Sequence, residues 1–220
     1  MDLLVYGASG QAKVVIDILR QNEFQIQGLL DDNKSLWGSQ FQGYKIYGLE
    51  ELSFDPMVLA GGGPSPIQIV LAIGDNSTRK KIANKVTNQQ DLIFSKVNII
   101  HPVAQIDDSI NIGDGTVIMA NVVVNVDAEI GKHVILNTAC TVDHDCIIED
   151  YVHLSPGVHL AGNVHVGEGA HLGVGVSVIP GIKIGAWSVI GAGAAVVDHI
   201  PAYSTAVGVP ARVIKTHKPI

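Results

Sequence analysis

The sequence predicts two unlike parts. Residues 1–98 read as a small α/β unit, and residues 99–220 as a solenoid of short parallel strands with a C-terminal tail. Three observations carry this division. Strand and helix patterns alternate through the first 98 residues; an aliphatic residue recurs at every sixth position from Ile100 to Val196; and aromatics make up only 5% of the 220 residues while glycines number 24. A chain poor in bulky rings and rich in Gly, Val and Ile suits narrow, repetitive β structure.

The α/β part is read element by element. LLVYG, near the N-terminus, is a strand, and residues 11–21 are a helix with apolar Val14, Val15, Ile18 and Leu19. IQGLLDD is a second strand ending in two aspartates, and IVLAIGD a third. NSTRKKIANKV is a helix with Asn76 as its cap. Residues 37–65, including LAGGGPSP, read as an irregular loop with one short helix. Strands that alternate with helices imply a small parallel sheet, Rossmann-like in outline. The first turn, Gly7-Ala8-Ser9-Gly10, can offer backbone amides to an anion at a helix N-terminus. It does not complete the G-x-G-x-x-G pattern, which argues against a nicotinamide cofactor.

The solenoid part rests on its period. Stepping by six from Ile100 meets only Ile, Leu or Val through Ile106, Ile118, Val124, Leu136, Val142, Leu160, Val178 and on to Val196. The position four after each is mostly small or β-branched, as at Thr116, Val122, Ala128, Cys140, Val152, Ala170 and Ser188. Two inward positions and one turn per six residues describe a strand whose ends point into the core. Three such faces close an 18-residue triangular coil, and coils stacked at ~4.8 Å give a prism roughly 27 Å tall. Cys140 and Cys146 both take the small inward position of successive hexads, hence different faces, which predicts buried thiols and no disulfide between them.

Composition excludes several classes. Net charge is −7, with 14 Lys and Arg against 21 Asp and Glu and no basic run, so nucleic acid is not an expected partner. The N-terminus lacks the leader, apolar core and cleavage site of a signal peptide, and no apolar run reaches the roughly 18 residues of a membrane span. A soluble, cytoplasmic protein without a membrane partner is expected. Two cysteines are too few for a disulfide framework or a zinc-binding set.

One short stretch carries chemistry. TVDHDC, residues 141–146, places His144 two residues past the inward Val142, at a turn on an edge of the prism. It reads as a general base, a metal ligand or a solvated corner. Asp143, His144 and Asp145 are consecutive and cannot all converge on one ion unaided, which disfavours the metal. An imidazole next to a carboxylate is the natural proton acceptor near neutral pH. His153, His159, His165 and His171 share one hexad position, midway between inward residues, so their side chains point outward; His153 and His171 lie on one face, a coil apart. His101, His133, His199 and His217 carry no signal.

These motifs resemble a known family. The hexads are similar to the left-handed parallel β-helix of hexapeptide-repeat acyltransferases. The succession YGASG, LLDD, AIGDN with Arg79, VILNTACTVDHDCIIEDYVHLSPGVHLAGNVHVG and GVPARVI resembles the NeuD/PglD type of sugar-nucleotide acetyltransferase. The resemblance implies a nucleotide-sugar-binding α/β domain, acetyl-CoA as cosubstrate, no metal, and a homotrimer with the coenzyme between neighbours. It makes His144 the general base and Asp145 the acid that raises its basicity. Gly162 becomes the amide donor to the thioester oxygen, with His153, Val174 and Ala192 as further coenzyme contacts. Ser9, Gly10 and Gln11 match the phosphate and sugar end of the nucleotide site, Asp31 and Asp32 the nucleobase end, and Gly74 completes the substrate set. One departure stands out: position 11 is commonly His in the family and is Gln11 here. The implied reaction is N-acetylation of a nucleotide-linked 4-amino-4,6-dideoxy sugar, UDP favoured, by direct attack without an acyl-enzyme. O-acetylation of a sialic acid and a non-catalytic binding solenoid are the alternatives.

Overall fold

The structure is a computed structural model that describes residues 2–53, 67–88, 92–94 and 98–218. Its contacts fall into two units, Met1–Ile99 and Ile100–Ile220.

In the first unit, β1 (Asp2–Tyr6) leads to α1 (Gly10–Gln21) and β2 (Gln25–Leu30). Then come β3 (Gln40–Phe41), β4 (Tyr44–Tyr47), β5 (Ile67–Leu71), α2 (Asn76–Thr87) and β6 (Leu92–Phe94). The sheet runs in the order β3-β4-β2-β1-β5-β6. All its pairings are parallel except β3 with β4. Leu3, Leu4, Val5, Leu29, Leu30 and Ile69 are buried in the sheet, and α1 packs Ala12, Val15, Ile16 and Leu19 inward. Val14 is 39% exposed and Ile16 takes the inward place. The helical period accounts for this correction, because positions 12, 15, 16 and 19 share a stripe that excludes 14.

Two further expectations change. Asp75, not Asn76, caps α2: its backbone is extended and its carboxylate accepts the Thr78 amide at 2.8 Å, while the Asn76 side-chain oxygen is taken by Arg79 at 2.9 Å. Within residues 37–65, the hairpin β3–β4 forms, and β4 extends the parallel sheet beside β2. A short 3-10 helix, Leu49–Ser53, follows, and LAGGGPSP lies outside the described residues.

The second unit is a three-sided parallel β-helix. Two-residue strands recur every six residues from β7 (Ile99–Ile100) to β23 (Ala195–Val196), and β24 (Ser204–Val207) with the antiparallel β25 (Arg212–Thr216) ends the stack. The strands sort into three parallel sheets, every third strand joining the same one. Pairing is offset by one 18-residue coil, as in the ladder Ile118, Leu136, Leu154, Leu172, Ile190. The inward aliphatic positions from Ile118 to Val196 are all buried, whereas Ile100, Ile106 and Ile112 are partly buried at the start of the stack. Each fully buried aliphatic contributes about 1.5–3 kcal/mol, so the ladder is the main source of stability. Every sixth residue from Gly115 to Gly193 turns a corner with φ near +60°, in the left-handed region. More than half of this column is not glycine, and Asp145 belongs to it at φ 59°. Both cysteines are free and buried, and burial pushes the Cys140 thiol up to about 12.

Candidate active site

The β-helix puts His144 on the corner between the second and third sheets, in the turn from β14 (Thr141–Val142) to β15 (Ile147–Ile148). Its ring sits on the outside of the prism, more than half exposed. Nδ1 lies 2.7 Å from Asp145 Oδ2, so the tautomer that this contact favours carries its proton on Nδ1 and leaves the Nε2 lone pair free. The hydrogen bond to Asp145 holds the imidazole above its ordinary range; the charges of Asp143 and Asp145 add to this and desolvation opposes it. The backbone beneath is tied at both ends. The His144 amide donates to Asp143 Oδ1 at 2.8 Å, and its carbonyl accepts the Asn163 amide at 2.9 Å.

Gly162 stands one coil after His144 on the same corner. A Cβ there would meet His144 Cε1 at 2.5 Å and Nε2 at 2.6 Å, so the imidazole lies in space that only glycine leaves open. Among the described residues the Gly162 amide has no acceptor, while its carbonyl receives the Gly181 amide at 3.0 Å. An imidazole lone pair and an open backbone donor therefore flank one small region on a rigid scaffold. A shallow groove of about 570 Å³ runs from the earlier coils up to His144, lined in part by Gln105, Asp107, Val123, Asn125 and Asp143.

The other expected coenzyme contacts lie elsewhere on the chain. Val174 and Ala192 are exposed on the corner between the first and second sheets. His153 belongs to the first sheet, opposite the His144 corner of the triangular section. It is only 9% exposed, because Asn137 lies 3.3 Å from its Nε2 and His171 stacks on it at 4.8 Å between ring centroids. Outward-pointing is therefore not the same as solvated at this position. A single chain brings together His144, Asp145 and Gly162, but not these three with Val174, Ala192 and His153.

In the α/β unit the expected substrate residues gather at the carboxyl edge of the sheet. Chain order reverses at β1, with β2 on one side and β5 on the other, the place where such sheets open a crevice. Gly7, at φ +115°, makes the turn after β1, and a Cβ would come within 2.8 Å of the Ala72 carbonyl. Ser9 is the N-cap of α1, yet its side chain makes no capping bond, and the Gln11 side-chain nitrogen is buried without a partner among the described residues. Gly74 follows β5, and its carbonyl accepts from the buried Arg79 at 3.0 Å. Asp31 and Asp32 follow β2, and both carboxylates have protein partners. Asp31 accepts the Ala8 amide at 3.0 Å and the Asn33 amide at 2.8 Å, which braces the glycine turn. Asp32 Oδ1 accepts from Tyr6 and from Lys85, each at 2.7 Å. Burial pushes the Asp32 carboxyl up, but these two bonds outweigh it and hold it below the usual range.

Sequence reasoning missed Lys85 and Tyr6 around Asp32, and Asn125 beneath Asp143. Asn125 had a signal, the 18-residue coil spacing, while Lys85 stands 53 residues from Asp32 with no local pattern to connect them. Among the described residues, no three His, Cys, Asp or Glu side chains are grouped to hold a metal ion, and no helix is long and apolar enough to cross a membrane.

Comparison with known proteins follows this geometry. Residues 2–86 match the PglD N-terminal domain. A complex of a histidine-to-asparagine variant of perosamine N-acetyltransferase from Caulobacter crescentus with CoA and GDP-perosamine is 38% identical. The match covers 98% of this chain and 97% of that one, with a TM-score of 0.86. The acetyltransferase domain of PglB from Neisseria gonorrhoeae, in complex with acetyl coenzyme A, is 33% identical over 97% of this chain and 98% of that one, with a TM-score of 0.82. GDP-perosamine N-acetyltransferase of Escherichia coli is 29% identical over 153 residues, 70% of this chain. The chain spans less than two thirds of the length of the curated relatives it matches, 22% of one and 66% of the Escherichia coli protein. The solved structures match over nearly their whole length, with the α/β unit and the left-handed β-helix both included. A chain so similar along its full extent, with an N-terminal region of the PglD type joined to hexapeptide coils, belongs to the sugar-nucleotide acetyltransferases of the hexapeptide-repeat superfamily.

Proposed function

We propose that the protein transfers an acetyl group from acetyl-CoA to the amine of a GDP-linked 4-amino-4,6-dideoxy sugar, with His144 as general base. The observation that carries this reading is the pairing of His144 Nδ1 with Asp145 at 2.7 Å while Nε2 faces the space above Gly162. Nε2 accepts the proton that the sugar amine loses as the C–N bond forms, Asp145 stabilises the resulting imidazolium, and the CoA thiolate leaves as the C–S bond breaks and takes that proton back. The Gly162 amide, oriented by the coil before any charge develops, receives the oxyanion. Acetyl-CoA, when bound, supplies the activated acetyl group. Cys140 and Cys146 are buried thiols whose pKa burial raises, so neither is suited to carry the acetyl group, and direct transfer is the simpler route.

GDP replaces the UDP expected from sequence because perosamine N-acetyltransferase, similar over nearly the whole chain, is seen with GDP-perosamine. In the α/β unit, the turn at Ser9 and Gly10, the buried Gln11 nitrogen and Gly74 form the nucleotide crevice, with Asp31 and Asp32 at its border. The intact His144–Asp145 pair speaks for catalysis over a binding solenoid. The separation of Val174, Ala192 and His153 from the His144 corner favours a homotrimer, in which one chain's base works beside the coenzyme contacts of the next.

The test is release of CoA against a panel of GDP-, UDP- and dTDP-linked amino sugars, with light scattering on the same sample. GDP-perosamine should be the best substrate, turned over by a trimer. Faster turnover of a UDP sugar would overturn the nucleotide assignment; no turnover of any amino sugar would overturn the activity. A fully active monomer would remove the shared site.

A further inference from the structure

One side chain, alongside backbone bonds at Val142 and Asp145, ties the corner that presents His144 to the preceding coil. Asn125 occupies the position of Asp143 one coil earlier, and its Nδ2 donates to Asp143 Oδ1 at 2.8 Å. The same oxygen accepts the His144 amide at 2.8 Å. The Val142 carbonyl before the turn accepts the Asn125 amide at 2.9 Å, but within the turn the Asp145 amide reaches the Val126 carbonyl only at 3.4 Å, and Asp145 itself holds a left-handed φ of 59°. A turn in that conformation costs energy for a residue with a side chain and needs outside support to hold one geometry.

We infer that Asn125 is a positioning residue for acetyl transfer: through Asp143 it fixes the turn that keeps the His144 imidazole on Asp145 and against Gly162. This rests on the reading of His144 as the base. A neutral amide donor fits the place, since an aspartate at 125 would set two carboxylates against each other, and an alanine would leave the Asp143 oxygen with the His144 amide alone. The hydrogen bond from Asn125 is the leading cause that holds the Asp143 carboxyl below its usual range. The charged and titratable groups around this turn are Asp143, Asp145 and the buried Cys146 thiol on its own coil, Asp127 one coil before Asp145, Asp107 along the groove, and His159 over Thr141 in the next coil. The coil after it adds only the uncharged Gly162 and Asn163 at the corner.

The experiment uses the full chain with Asn125→Ala, Asp143→Ala, the double variant, and Asp143→Asn, which keeps an acceptor oxygen but removes the charge. Two quantities are read: acetyl transfer to GDP-perosamine, split into kcat and KM, and the imidazole NMR signals of His144 in the protein without substrates. Asn125→Ala should lower kcat about tenfold with both KM values unchanged, since a displaced base loses rate without losing binding. Asp143→Ala should do the same, the double variant should be no worse than either single one, and Asp143→Asn should keep most of the rate. The His144 signals should move in Asn125→Ala, while thermal unfolding stays near that of the parent because Asn125 is exposed. Unmoved signals with parental kcat, or losses that add in the double variant, would overturn the proposal. A raised KM for the sugar nucleotide at unchanged kcat would make Asn125 a wall of the groove instead. If the parent acetylates no amino sugar, the function fails separately, and the NMR signals alone decide whether Asn125 positions His144.

Discussion

The aspartates of the α/β crevice and the His144–Gly162 pair of the β-helix corner are treated in opposite ways. At the carboxyl edge of the α/β sheet, Asp31 and Asp32 are spent on protein partners, the first on the amides of Ala8 and Asn33, the second on Tyr6 and Lys85. On the β-helix corner, Nε2 of His144 and the amide of Gly162 are held in place by neighbours but keep their own hydrogen-bonding capacity open among the described residues. The first arrangement shapes a backbone surface, and the second keeps reactive groups in reserve. Binding needs a fixed shape in the ground state, whereas catalysis needs donors and acceptors whose partner arrives with the reaction. The contrast suggests that substitutions in one unit act on KM and those in the other on kcat.

His144→Ala is the strongest test of that split. It should lower kcat by roughly 10²- to 10⁴-fold, the usual share of a general base, with acetyl-CoA binding in calorimetry nearly intact. Turnover close to the parent's would remove His144 from the chemistry. Gly162→Ala should come next, with kcat reduced by on the order of a hundredfold, because the new methyl takes the space of the ring and moves Nε2. A crystal structure of that variant with the imidazole unmoved would show that the close approach is not what the glycine serves.

Asp145→Asn sharpens the comparison through pH. The hydrogen bond to Asp145 raises the His144 pKa, and only the neutral imidazole can accept a proton, so activity should fall as pH drops through the pKa. Without the carboxylate the pKa returns toward its ordinary value, and the acidic limb of the kcat profile should shift to lower pH as kcat itself falls on the order of tenfold. A limb that stays put would mean that Asp145 only orients the ring. The smallest effect belongs to the α/β unit. Asp31→Ala with Asp32→Ala should raise KM for the nucleotide sugar by up to roughly tenfold and leave KM for acetyl-CoA unchanged, since the loosened turn weakens ground and transition states alike. A rise in both constants would break the division between units.

Much of the fold was legible because its rule is local. A residue every sixth position must be aliphatic if a two-residue strand is to bury it, and that requirement is written into each hexad from Ile118 to Val196 without reference to distant partners. The alternation of strand and helix in the first unit is local in the same sense, as is the exposed corner position of His144 and the acid beside it. The cap of α2 was misread where the adjacent Asp75 and Asn76 offered two similar choices and a competing bond from Arg79 decided between them.

The rest depends on which coil lies against which and on what closes over an edge. An 18-residue offset brings Gly162 against the imidazole from the following coil and Asn125 against Asp143 from the preceding one, contacts that exist only once the coils stack. The same stacking covers His153 with His171, although hexad position alone points its ring to solvent. Lys85 of α2 reaches Asp32, just past β2, beside Tyr6 at the end of β1, a juxtaposition of residues far apart in the chain. Periodicity in the chain thus determined which side chains face the core and where His144 stands, since burial follows from local geometry. The tertiary structure decided which polar groups further apart along the chain satisfy one another, because a hydrogen bond needs its partner within about 3 Å and pairs such as Lys85 with Asp32 or Asn125 with Asp143 come from different segments.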